Sequence, residues 1–239
     1  MYNRERMYDS GRGGQPVELV IFDCDGVLID SEVISLTVIR ELLQAYDIEI
    51  DDGYFTREFL GRSFPWVKET VKRDFGVELP DSFEQQYLGS LMNRFDTDLQ
   101  PVNGVESIIS QLSIPFCVAT SSHRERTNRA LRATGLWSYF EDAIYTASQV
   151  QNGKPAPDLF LFAAEQHGVD PKNCLVIEDS LSGLRAGVAA GMQVWHFQGG
   201  SHMPTSISNI VLPPGISRVI SHWSQFFTVH PELRINQPS

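Results

Sequence analysis

Val17-Glu18-Leu19-Val20-Ile21-Phe22-Asp23-Cys24-Asp25-Gly26-Val27 is an apolar run that ends in two carboxylates one residue apart, followed by a glycine. A short, almost wholly apolar run of this kind is the pattern of a parallel strand buried on both faces. The two aspartates therefore stand where that strand leaves its sheet. Asp-x-Asp-Gly alone is a weak signal, because ordinary Asp and Gly frequencies produce it by chance in roughly one chain in twenty of this length. It gains weight from partners placed at or beyond the ends of later apolar runs: Thr120-Ser121-Ser122, Lys154 and Glu178-Asp179. Together they describe a phosphoryl-transfer site.

Further apolar runs at 115–119, 143–146, 174–177, 193–197 and 209–212 are separated by helix-like stretches. That alternation predicts an α/β fold with a Rossmann-like parallel sheet. Val105, Ile108, Ile109 and Leu112 fall at i, i+3, i+4, i+7, and Ile216, Val219, Ile220, Trp223, Phe226 and Phe227 continue such a stripe, so both segments are expected to be helices. Arg124 to Ala133 reads as a polar helix closed by Gly135, and 157–167 as a helix closed by Gly168. One segment breaks the rhythm: roughly seventy residues, 31–99, pass with helical patterning and little sign of a strand, far more than a crossover needs. The expected organisation is a tail at 1–16, a catalytic core from 17–30 and 100–239, and a helical cap inserted at 31–99. Asp30 or Ser31 announces the first cap helix, and Gly61, Pro65, Gly76 and Pro80 punctuate those that follow.

Hydrophobic content of 42% and charged content of 21% over 239 residues are ordinary for a globular chain, and no apolar stretch approaches the ~20 residues of a membrane span. The opening residues carry no apolar segment of the signal-peptide kind. Cys24, Cys117 and Cys174 lie in or beside strand-like runs, where cysteine acts as small apolar filler, so a reducing, cytoplasmic setting is expected. A formal net charge of −11 disfavours nucleic acid and anionic membrane surfaces as partners. A small phosphorylated metabolite is the expected partner, with oligomeric state open and a monomer favoured.

Asp23, Asp25, Glu178 and Asp179 would share one small volume if their strands end at one edge of the sheet, where open α/β folds bind ligands. Like charges ~4 Å apart repel by about 4 kcal/mol per pair at an effective dielectric near 20, and Lys154 compensates only one of them. Such a cluster calls for a cation, and an all-oxygen donor set with room for water and a phosphate oxygen suits Mg²⁺. A calcium loop does not fit, because Val27 stands where the third oxygen ligand is required. A carboxylate facing a phosphate monoester can attack phosphorus while a second acid protonates the departing alcohol. The strand-tip position makes Asp23 the nucleophile and leaves Asp25 as acid/base. The Thr120 hydroxyl and the N–H groups of Ser121 and Ser122 form a phosphate cradle, and Lys154 neutralises the transferring oxygens.

Phe22-Asp23-Cys24-Asp25-Gly26-Val27-Leu28-Ile29-Asp30-Ser31-Glu32 resembles the first motif of the haloacid dehalogenase superfamily. Val118 to Ser122 resembles its second motif, Gly153 to Asp158 its third and Val176 to Gly183 its fourth, in the family's order. The resemblance, which runs from about residue 17 to about 200, implies a Rossmann-like core with a helical cap after the first motif, and Mg²⁺ dependence. It implies that the Asp25 backbone carbonyl joins Asp23 and Asp179 as metal ligands with Glu178 close by. Asp25 points to phosphoryl transfer, since dehalogenases of the superfamily generally lack this second aspartate. The most similar subgroup holds phosphoglycolate, deoxyglucose-6-phosphate and 6-phosphogluconate phosphatases together with β-phosphoglucomutase. The mutase pattern carries a histidine where this chain has Ser35, which argues for a phosphatase acting on a sugar, sugar-acid or polyol phosphate. A noncatalytic phospho-ligand binder is a further alternative, though no catalytic carboxylate is missing. Phe59-Leu60-Gly61-Arg62-Ser63 resembles the substrate-specificity loop, with Arg62 able to meet the leaving group. His123 reads either as a leaving-group contact or as a solvated helix-start residue. His196 and His202 show no metal-ligand spacing, and Trp137, Tyr139, Phe140, Phe160 and Phe162 read as packing.

Overall fold

The computed structural model describes residues 16–60, 62, 64–203 and 211–235. Its strands are β1 (Leu19–Phe22), β2 (Phe116–Thr120), β3 (Ile144–Thr146), β4 (Cys174–Glu178), β5 (Gln193–Phe197) and β6 (Arg218–Ile220). They form one sheet in the order β3-β2-β1-β4-β5-β6, with every described pairing parallel. The chain builds outward from β1 in one direction, then returns to its other side with β4. This reversal makes the β1/β4 boundary the place where the following loops diverge and leave a crevice.

Side chains alternate across the sheet with period two. Val20, Phe22, Val118, Leu175, Ile177, Trp195 and Phe197 face one apolar cluster, whereas Leu19, Ile21, Cys117, Ala119, Cys174, Val176 and Val194 face another. Because both faces are covered, β1 and β4 are buried at every residue, which is why they read as continuous apolar runs. The three cysteines are free and buried, as filler.

The helices are α1 (Ser31–Gln44), α2 (Asp52–Glu58), α3 (Phe64–Phe75), α4 (Ser82–Asp98), α5 (Val105–Ile109), α6 (Arg124–Ala133), α7 (Trp137–Phe140), α8 (Asp158–His167), α9 (Leu181–Ala189) and α10 (Phe226–Val229). α1 to α4 follow β1 with no strand between them and surround a cluster of their own, including Ile39, Leu43, Phe55, Val71 and Phe83. α4 also packs on α6, where Arg129 clasps Asp96 and the Arg126 guanidinium lies 5.1 Å from the Phe95 ring centroid. No helix among the described residues is long and apolar enough to cross a membrane.

Several sequence expectations need correction. The stripe from Ile216 to Phe227 is not one helix: it is β6, a 3-10 turn at Trp223–Gln225 and the short α10. The exposed backbone edge of β5 supplies partners that a helix cannot use, pairing Trp195 with Arg218 and Phe197 with Ile220. The Gln225 carboxamide then accepts from the N–H groups of Ser221 and His222 and starts the turn. Of the strand expected at 209–212, residues 209 and 210 lie outside the described set, while Val211 and Leu212 join no ladder. α5 stops at Ile109, short of the expected Leu112. Asp30 is the N-cap of α1, but its carboxylate goes to Ser201 instead of the helix. His123 is the N-cap of α6. Gly61 and residues 1–15 lie outside the described set.

Trp223 is 1% exposed, stacks on Phe197 at 4.5 Å and meets Phe22 at 5.7 Å. Trp223→Ala is expected to cost about 3–5 kcal/mol of stability, read as a lowered denaturation midpoint with an unchanged denaturant slope. A loss under 1 kcal/mol would contradict its place in the core.

Candidate active site

Asp23, Thr120 and Glu178 stand at the carboxyl ends of the three central strands β1, β2 and β4. The ladder runs on for one more bond, with Asp23 N–H donating to the Ile177 carbonyl at 3.0 Å. Lys154 comes from the segment between β3 and α8 and closes the group from the side. Its ammonium donates to Asp23 Oδ1 at 2.6 Å, Glu178 Oε1 at 2.8 Å and the Ala119 carbonyl at 2.9 Å. Three fixed acceptors match the three ammonium protons, and the side chain is only 2% exposed. The other Glu178 oxygen accepts from Ser180 N–H at 2.6 Å and Ser180 Oγ at 2.9 Å, while Ser180 caps α9 through Gly183 N–H. A Cβ on Gly183 would fall 1.7 Å from Glu178 Oε1, so the first turn of α9 can pass the carboxylate only as glycine.

Asp179 completes a buried trio: one oxygen from each of Asp23, Glu178 and Asp179 lies within 4.8 Å of the others. Burial pushes the Asp23 carboxyl well above the usual range; the Lys154 charge opposes this, while Glu178, Asp179 and Asp25 add to it. Burial likewise raises Asp179, with Glu178 reinforcing the shift. Lys154 is held protonated, its ammonium raised by Asp23 and Glu178 against the effect of burial. One cation thus faces three carboxylates, and this all-oxygen set fits a second, hard divalent cation.

Asp25 has a different environment. Arg126 grips it with two parallel bonds, Nη1 to Oδ2 at 2.7 Å and Nη2 to Oδ1 at 2.8 Å, and the hydroxyls of Ser31 and Ser122 also donate to it. Burial would raise this carboxyl, but the Arg126 charge and these hydrogen bonds bring it down to about 2. In this arrangement Asp25 is ionised, and the Arg126 fork opposes its protonation. Ser122 N–H donates to Thr120 Oγ1 at 3.1 Å, so that hydroxyl is oriented within its own loop.

All ten residues singled out from sequence line one cavity of about 470 Å³ between the strand ends and α1 to α4: Asp23, Asp25, Thr120, Ser121, Ser122, His123, Lys154, Glu178, Asp179 and Arg62. The volume is that of a small-molecule site. Arg62 is exposed and its guanidinium lies 5.1 Å from the Trp66 ring centroid. His123 is an exposed residue at the start of α6.

Sequence reasoning missed four residues here. Arg126 follows Ser122 by one helical turn, a spacing that points both at Asp25. Glu32 and Tyr87 line the cavity from the helical side; burial, with Asp25 adding, pushes Glu32 up to about 8. His202 lies 3.2 Å from Asp179, although nothing in its sequence spacing announces a ligand set.

A family model described as haloacid dehalogenase-like hydrolase matches residues 17–191. The 6-phosphogluconate phosphatase of Escherichia coli is 29% identical over 187 residues, covering 78% of this chain and 85% of that protein. The fructose-1-phosphate phosphatase of the same organism is 31% identical over 176 residues, covering 72% and 92%. A haloacid dehalogenase-like protein of unknown function from Agrobacterium tumefaciens superimposes with a TM-score of 0.78 at 31% identity, covering 90% of this chain and 98% of the other. Sheet order, the carboxylate trio with its lysine, and these likenesses converge: the chain belongs to the haloacid dehalogenase-like hydrolase family.

Proposed function

We propose that this protein is a Mg²⁺-dependent phosphatase that hydrolyses a small sugar, sugar-acid or polyol phosphate through an aspartyl-phosphate. The observation that carries the reading is Lys154 bridging Asp23 and Glu178 beside Asp179, at the floor of a cavity roofed by helices. The phosphatase names of the relatives support the substrate class. Asp23 and Asp179, with the Asp25 backbone carbonyl and Glu178 nearby, would hold Mg²⁺. That ion supplies positive charge to the phosphoryl oxygens when bound.

Asp23 attacks phosphorus in line, forming an Oδ–P bond as the P–O bond to the leaving group breaks. Lys154, the Thr120 hydroxyl and the Ser121 N–H stabilise the equatorial oxygens, the Ser122 N–H being taken up by Thr120 Oγ1. Asp25 gives the departing oxygen its proton, for which the carboxyl must leave the Arg126 fork and become protonated. In the second step a water attacks phosphorus, Asp25 takes its proton, and Asp23 is released with inorganic phosphate. We assign residues 31–99 as a cap that closes over this cavity and excludes bulk water, with Arg62 and His123 placed to meet the leaving group.

Asp23→Asn is expected to lower turnover by roughly three or more orders of magnitude with the circular dichroism spectrum unchanged. A folded variant keeping most of its turnover would eliminate the aspartyl-phosphate route. Asp25→Asn is expected to lose roughly 10²- to 10⁴-fold and to accumulate phosphoenzyme with good leaving groups; full activity would remove Asp25 from the acid/base role. Hydrolysis of para-nitrophenyl phosphate should vanish with a chelator and return with Mg²⁺, and activity that survives chelation would exclude the metal. A phosphate-release screen of sugar phosphates, run beside a glucose 1-phosphate isomer assay, separates the phosphatase from the mutase. Isomer formed without free phosphate would overturn the proposal.

A further inference from the structure

We propose that His202 is the positioning residue for Asp179, holding one carboxylate oxygen so that the other faces the cation. The inference rests on the reading of Asp179 as a metal ligand. His202 follows β5 in the segment Gly199-Gly200-Ser201-His202, far in sequence from every residue assigned above. Its side chain is 5% exposed, and Nε2 lies 3.2 Å from Asp179 Oδ2. Among the described residues neither ring nitrogen completes a hydrogen bond. Buried polar nitrogens are seldom left unpaired, so an imidazole in this position has a use for a partner.

The slot that holds the ring is built into two backbones. A Cβ on Gly26, whose φ is 76°, would fall 2.0 Å from Asp179 Oδ2 and 2.8 Å from His202 Cε1. A Cβ on Gly200 would fall 2.7 Å from the same Cε1. Gly26 approaches both carboxylate and imidazole, and Gly200 approaches the imidazole, at distances a Cβ would violate, so the ring is held against Asp179. The segment is also anchored: Ser201 N–H donates to Asp30 Oδ1 at 3.1 Å, Ser201 Oγ donates to Asp30 Oδ2, and Met203 N–H returns to the Gly200 carbonyl at 3.0 Å. Asp30 begins α1, so one loop reaches from the start of the helical segment to the carboxylate trio.

Ligating carboxylates are commonly oriented by an outer hydrogen bond, and losing that bond typically weakens metal binding about 10- to 100-fold. An N–H at Nε2 donating to Oδ2 would select one Asp179 rotamer. A nitrogen donor is a poor match for a hard cation, which favours the outer role over direct ligation.

The test is Mn²⁺ binding followed by electron paramagnetic resonance on the full chain, comparing wild type with His202→Leu, His202→Gln and Asp179→Asn. His202→Leu fills the slot without a donor and is expected to weaken Mn²⁺ affinity about tenfold or more. His202→Gln offers an amide N–H in nearly the same place and should recover most of the affinity. Unchanged affinity in His202→Leu, with Asp179→Asn impaired, would overturn the proposal alone. Wild-type affinity in Asp179→Asn would instead overturn the metal-site reading. A strong directly bonded nitrogen coupling in the Mn²⁺-loaded wild type, lost in His202→Leu, would make His202 a ligand and overturn the positioning role. Melting curves of the metal-free variants establish that each is folded, and His202→Gln keeps the proposal testable if His202→Leu is not.

Discussion

Three carboxylates are buried within 4.8 Å of one another at the end of a parallel sheet, with one ammonium among them. The rest of the active region is arranged around that unfavourable charge. Lys154 reaches across to place all its protons on fixed acceptors, Ser180 satisfies the outer oxygen of Glu178, and glycine at 183 lets α9 begin close enough for that bond. Even so, burial drives Asp23 and Asp179 toward their neutral forms. The scaffold stores a demand for positive charge at the strand ends, which the Mg²⁺ of the proposed function would meet together with Lys154.

The two aspartates of the first motif illustrate how environment separates like groups. Asp23 shares its lysine with Glu178 and is raised; Asp25, two residues on, has an arginine fork and two hydroxyls to itself and falls to about 2. A nucleophile benefits from a rigid strand tip. In the proposed mechanism an acid/base benefits from a carboxyl that can exchange partners, and the Arg126 that holds Asp25 also packs on Phe95 of α4.

The strand ends and the helical roof contribute different side chains to the one cavity. Glu32, Tyr87 and Arg62 face it from α1, α4 and the α2–α3 connection. In the proposed function these side chains would be the ones to discriminate among leaving groups.

Much of this was legible in the chain. Parallel strands buried on both faces are largely apolar, so β1, β2, β4 and β5 stood out, and the polar residues ending three of them named the site. Arg126 and His202 were not legible, because one reaches Asp25 from a polar helix and the other reaches Asp179 from a loop, with no periodicity linking either pair. The stripe at 216–227 misled for a related reason: helical spacing records where apolar groups fall, not whether a neighbouring strand edge has unpaired backbone groups to offer. Sequence alone determined the sheet's central strands and the chemistry at their tips, since local burial and residue type suffice for both. Only tertiary structure decided which charges meet, which carboxylate is held by arginine and which histidine lies against the carboxylate trio, because those depend on distances between segments far apart in the chain.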